Sequence, residues 1–180
     1  MDSFLRAMTL LIPPPVEPRD TIGDWSALEA EMGLIFPEDY KQFIALYGTG
    51  TLCSLIEIDS PFRLAKLYQT STREAWITRT GVYHQHDQFL TSPPPYSYYP
   101  AIPGLLPCAA DASGDLIGWL TNATPELWRI VYRDRENAYF EVPGMGFVEF
   151  LVAAIKEQAP VPEMYLSKNH FNLPGTFKPY

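Results

Sequence analysis

Two groups of side chains in this sequence have the types from which catalysis or metal binding is built. His84 and His86 flank Gln85, and on a strand residues two apart point the same way, so both imidazoles could face one ligand. A third donor would have to come from His170, Cys53, Cys108 or a carboxylate, and none stands at a spacing that zinc sites use. Two solvated loop histidines beside Asp87 account for the same residues. Asp111 and Asp115 bracket Gly114, and a carboxylate pair suits acid–base work or a cation. It equally suits a tight turn, where aspartate accepts backbone hydrogen bonds and glycine supplies positive φ, and turn chemistry is the simpler account.

Neither group is joined by a catalytic signature. The sequence holds no Gly-x-Ser-x-Gly elbow, P-loop, Gly-x-Gly-x-x-Gly fingerprint or His-Glu-x-x-His pair. Cys108 follows Pro107 away from any marked helix N-terminus that would lower its pKa, so an inert thiol is expected. Trp25, Trp119 and Trp128 fall on candidate core faces, while the setting of Trp76 is less clearly marked. No catalytic residue, metal or cofactor is expected, which leaves binding.

The elements that position these groups follow from periodicity. Phe4, Leu5, Met8, Leu11 and Ile12 predict a short amphipathic helix over residues 3–12, followed by a stiff Pro-rich connection. Asp24 suits the N-cap of a second helix carrying Trp25, Leu28 and Met32, closed by Gly33. Pro37 at a first helical position, with Glu38 and Asp39 at the positive end of the helix dipole, opens a third. Its apolar stripe is Tyr40, Phe43, Ile44 and Tyr47, and Gly48 ends it. Residues 52–58 read as one strand, and residues 61–80 as helix with a break near Thr70 and capping-box spacing at Ser71 and Glu74. Six prolines between residues 91 and 107 predict a long loop.

The C-terminal half changes style. Residues 116–120 read as a strand, and Trp128, Ile130 and Tyr132 alternate with Arg129, Val131 and Arg133 as in a strand with one solvated face. Residues 134–137 form a polar turn, and 138–142 return antiparallel. Phe147, Phe150, Leu151, Ala154 and Ile155 mark a closing helix. This order predicts a single α+β domain, an antiparallel sheet packed with N-terminal helices and a C-terminal helix. Residues 1–19 are expected to form a helix and Pro-rich connection, 20–158 the domain, and 159–180 a tail packed on it.

A length of 180 residues suits one domain, and ten Phe, eleven Tyr and four Trp provide apolar area for its core. Two cysteines, Cys53 and Cys108, give no disulfide framework. No run approaches the ~20 apolar residues of a membrane span. The apolar run from Met8 to Ile12 is cut by Pro13 before it reaches the length of a secretory leader, so a cytoplasmic location without membrane attachment is expected. Thirteen basic residues against 21 acidic ones give a net charge of −8, which excludes a general nucleic-acid binder and favours a basic protein partner. Ten acids and three bases fall within residues 1–59, so nearly all the imbalance lies in the N-terminal helical region. A surface of that sign steers a basic partner and speeds encounter.

Trp25, Leu28-Glu29, Gly33, Pro37, Tyr40, Phe43, Tyr47, Gly48 and Gly50 form one ordered block. Gly104-Leu105-Leu106-Pro107, Gly114-Asp115, Trp119, Pro125, Trp128 and Phe150-Leu151 form a second. In these two blocks, from about residue 20 to about residue 156, the chain resembles the SUKH superfamily of cell-wall-regulator-like immunity proteins. The resemblance implies an α+β domain that acts by binding, not by catalysis. It also implies an immunity protein that neutralises a cognate bacterial protein toxin, such as a nuclease, by surface occlusion. The alternative it allows is a regulatory interaction module with another cellular partner. Candidate contact residues are the acids Asp24, Glu31, Glu38, Asp39, Asp111 and Asp115 and the loop aromatics Tyr83 and Tyr96, with Tyr98 and Tyr99 beside them.

Overall fold

The computed structural model describes residues 3–87, 93–111, 114–161 and 175–180. Helix α1 (Ser3–Leu11) buries Leu5 and Met8, with Ile12 fully buried just past its end. Helix α2 (Trp25–Met32) starts at Asp24, whose carboxylate accepts the Ala27 N–H at 3.1 Å, and ends at Gly33 with φ 67°. Helix α3 (Glu38–Tyr47) buries the expected stripe Tyr40, Phe43, Ile44 and Tyr47. Pro37 occupies the cap position and not the first helical one. Its extended ψ of 138° keeps it outside the helix, where its missing N–H costs nothing.

Residues 52–58, read as one strand, divide into β1 (Gly50–Leu52) and β2 (Ile56–Ile58), which pair as a hairpin. The turn between them sets Cys53 and Ser54 at φ 51° and 59°, with the Leu55 N–H donating to the Leu52 carbonyl at 2.9 Å. Hairpins favour this conformation because its twist matches the strands, but they announce it with Asn-Gly or Asp-Gly and not Cys-Ser. The next helical stretch breaks as expected: α4 (Pro61–Tyr68) ends at Gln69 with φ 53°, and α5 (Thr72–Asp87) begins with the Ser71 hydroxyl accepting the Glu74 N–H at 3.3 Å. Helix α5 then runs past Gly81 to Asp87, so His84 and His86 lie on a helix and not on a strand or loop. Positions two apart on a helix are about 200° round its axis. The strand geometry on which the metal reading rested is therefore not the one found here.

The Pro-rich stretch ends earlier than predicted. Strand β3 (Leu105–Asp111) takes in Pro107, with a register shift between Pro107 and Ala109 that lets a residue without an N–H sit in the ladder. Strands β4 (Leu116–Leu120), β5 (Arg129–Arg133) and β6 (Tyr139–Val142) follow as a meander, and helix α6 (Phe147–Ile155) closes the domain. A last strand, β7 (Phe177–Pro179), pairs with β1. Among the described residues one seven-stranded antiparallel sheet has the order β6-β5-β4-β3-β2-β1-β7, and with six helices it makes an α+β domain. No helix among the described residues is long and apolar enough to cross a membrane.

One face of the sheet presents Ile56, Ile58, Leu106, Ile117, Trp119, Ile130 and Tyr132 to the helices. Phe36 is the aromatic centre of this core, within 6.2 Å of the rings of Trp25, Tyr40, Trp76, Trp119 and Trp128. Trp76 is buried here, with its indole N–H donating to the Pro107 carbonyl at 3.0 Å. The opposite face of β3–β5 departs from the sequence expectation. Val131 and Arg133, read as solvent-facing, are 0% and 5% exposed. Leu105, Leu116, Leu120 and Val131 form a second apolar cluster roofed by Tyr83, Tyr96, Tyr98 and Tyr139. The alternation is real, but both faces are covered.

Candidate partner-binding surfaces

The acids of the N-terminal half fall into two kinds. Asp24, Glu31 and Asp39 each serve the N-terminus of a helix, where unpaired N–H groups and the dipole favour a carboxylate. Asp24 caps its own α2. Glu31 accepts the Arg73 N–H at 2.7 Å at the start of α5, and Asp39 accepts the Val148 N–H at 3.0 Å at the start of α6. Glu38 accepts from the Gln42 amide at 3.2 Å, a local bond one turn along its own helix. Asp24, Glu31 and Glu38 remain exposed, whereas Asp39 is half-buried against α6.

Folding also cancels part of the charge asymmetry seen along the chain. Asp20 pairs with Lys66 at 2.8 Å, Glu29 with Lys41, and Asp59 with both Arg63 and Arg79. Bases from α4 and α5 thus fold back onto acids from residues 1–59. The exposed acids are fewer than the linear count: among the described residues of 1–59 they are Glu17, Asp24, Glu31, Glu38 and Glu57.

Asp111 and Asp115, also expected at the surface, are 8% and 0% exposed. Asp111 accepts the Asp115 N–H at 2.9 Å across the Gly114 turn, where φ is 92°. Asp115 accepts the Tyr132 hydroxyl and the Arg135 N–H, the latter at 2.8 Å. Both carboxylates tie turns together under the sheet end, and neither is presented outward. Burial, reinforced by Asp115, pushes the Tyr132 phenol well up and keeps it a donor. Burial likewise raises the Cys108 thiol well above its ordinary value, and its sulfur donates to the Ile117 carbonyl at 3.3 Å. A thiol held neutral in this way is a poor nucleophile.

The loop aromatics act together. Residues 93–99 lie across the second sheet face, with the Tyr96 hydroxyl donating to Glu141 at 3.1 Å and the hydroxyls of Tyr98 and Tyr139 3.3 Å apart. Tyr99 anchors the other end, its hydroxyl donating to the Met32 carbonyl at 2.8 Å. Tyr83, from α5, packs beneath this strap, with the Arg133 guanidinium 5.8 Å from its ring. Between strap and helix lies an open cleft of about 620 Å³, lined by Ile77, Thr80, Gly81, His84 and residues 93–99. The tyrosines therefore hold the strap: Tyr83, Tyr96 and Tyr98 are half-buried and Tyr99 is buried.

A further surface feature was not marked by periodicity. Ile35 and Ile102 are 55% and 48% exposed and line one groove of about 360 Å³ with Gly33 and Leu34, at the end of α2. Ile35 sits between two buried residues, Leu34 and Phe36, which hid it in the apolar run. Ile102 comes from the Pro-rich segment, 67 positions away. The groove sets this exposed apolar area beside Glu29, which is paired with Lys41, and the polar Asn122, an apolar centre with a polar edge.

The family model SUKH_6, described as SMI1-KNR4 cell-wall, matches residues 22–151. That span runs from just before α2 into α6 and takes in six of the seven strands. No curated protein and no solved structure matches the chain.

Proposed function

The chain belongs to the SUKH superfamily, and on that premise we propose that it is a cytoplasmic immunity protein, which binds a cognate bacterial protein toxin and neutralises it by covering its surface. The observation that carries this reading is the family match over residues 22–151, since that family is compatible with an immunity role. The charge of −8 supports a basic toxin. A nuclease fits best, because a groove that holds phosphates is itself basic and attracts carboxylates. We place the contact at the end of α2, on the Ile35 and Ile102 groove, with the exposed Glu31 of α2 and Glu38 of α3 as the acids that would steer a basic partner towards it. The apolar centre would supply affinity and the carboxylates encounter rate.

Co-expression with the product of the neighbouring gene tests the proposal. The expected outcome is a stoichiometric complex that survives purification and restores growth to cells producing that product. Loss of growth rescue, or a stable partner with no toxicity of its own, would replace the immunity role with regulatory binding.

A further inference from the structure

A second groove, of about 490 Å³, is lined by Tyr68, Arg79, Tyr83, Arg133, Arg135 and Asn137 together with Val82 and Gly114. In a chain with eight more acids than bases, the lining of this groove holds, among the described residues, three guanidiniums and no carboxylate. The carboxylates that steady two of those guanidiniums stand behind them. Asp59 accepts from Arg79 and is shared with Arg63 at 2.5 Å, so one negative charge faces two positive ones. Asp87 accepts from Arg133 at 2.9 Å, with the Arg133 side chain 6% exposed and its Nε without a hydrogen-bond partner. Asp111 lies opposite the core residue Ile56, and Asp115 accepts the Tyr132 hydroxyl and, at 2.8 Å, the backbone N–H of Arg135.

We propose that this groove binds a small phosphomonoester that carries a planar ring, of the size of a nucleoside monophosphate. Planar guanidinium forks match phosphate oxygens in pairs, and fixed ones lose little freedom on binding. Tyr68, 38% exposed, lines the same groove and offers an aromatic face for the ring, while the Tyr83 ring holds the Arg133 guanidinium 5.8 Å away. The volume lies in the range of clefts that hold small ligands, about 300–1,000 Å³. This site stands apart from the α2 groove and does not depend on the toxin reading.

Calorimetry with adenosine monophosphate, adenosine and inorganic phosphate tests it. Adenosine monophosphate is expected to bind at sub-millimolar concentration, at least tenfold more tightly than either fragment. Arg135→Gln, at an exposed position, should weaken it about tenfold or more. Tyr68→Ala should weaken adenosine monophosphate while leaving inorganic phosphate unchanged. No heat at millimolar adenosine monophosphate, equal binding of adenosine, equal binding of inorganic phosphate, or an unaffected Arg135→Gln chain would each overturn the assignment. Circular dichroism spectra matching the parent show that either variant is folded.

Discussion

The Asp39 carboxylate accepts the N–H of Val148 at 3.0 Å, so the first turn of α3 caps the first turn of α6 across 109 positions of sequence. Gly146, just before α6, is packed so close that a Cβ there would lie 2.6 Å from the Asp39 carboxylate. An acid that looks like one member of a charged surface is thereby a structural joint.

Asp39→Ala should destabilise the chain by about 1–2 kcal/mol, the usual cost of a lost cap with its dipole interaction. Glu38→Gln, one residue earlier, should change stability by less than about 0.5 kcal/mol. Urea unfolding of the two variants checks this, and equal midpoints would contradict the assignment.

Gly48 and Gly33 share φ 67° but not their surroundings. A Cβ on Gly48 would lie 1.8 Å from the Arg19 carbonyl oxygen, whereas nothing lies within 4 Å of one on Gly33. Gly33→Ala should cost about 1 kcal/mol of left-handed strain. Gly48→Ala should cost well over twice that, because backbone must move and the Thr49 N–H to Arg19 carbonyl bond of 2.9 Å is strained. Thermal denaturation of both variants orders the two costs.

Asp59 holds Arg63 and Arg79, with its side chain 9% exposed and that of Arg79 16%. Removing it leaves a largely buried cation without its counter-charge, so Asp59→Ala should cost roughly 3 kcal/mol. Asp59→Leu combined with Arg79→Met should recover a large part of that loss, since both desolvation penalties then disappear. A double variant no better than Asp59→Ala would show that the pair is not the source of the cost.

Burial pushes the phenols of Tyr40, Tyr47, Tyr98 and Tyr132 well above their ordinary value of 10.0. It takes Tyr180 to about 12, with the charge of Asp59 adding to the effect. The folded chain then holds protons that the unfolded chain has lost, so stability is intact below pH 10 and falls as pH rises from 10 towards 12 and beyond. Phenolate absorbance should therefore appear together with loss of structure. A native circular dichroism spectrum alongside ionisation of these buried phenols near pH 10 would contradict this.

Under the proposed function, Glu38→Lys should slow association with a basic partner several-fold at low salt, with the difference shrinking as salt rises. Ile102→Asp should instead speed dissociation, because it places a charge in the apolar centre of the contact. Surface plasmon resonance separates the two rates. Unchanged kinetics in both would move the interface away from α2.

Much of the fold was legible because its signals are local. The caps at Asp24 and Gly33, the stripe from Tyr40 to Tyr47, the turn before β4, the alternation of β5 and α6's apolar run each depend on neighbours within a few residues. What a residue's other side meets is not local. The positive-φ turn at Cys53 and Ser54, the strand carrying Pro107, and the continuation of α5 through His84 and His86 all depend on partners far away in sequence. The same holds for function. Family membership and the acidic balance came from residue order and composition, which tertiary contacts do not alter. Which carboxylates stay free to meet a partner was decided only when α4 and α5 folded back onto residues 1–59, because a charge acts through distance in space and not through position along the chain.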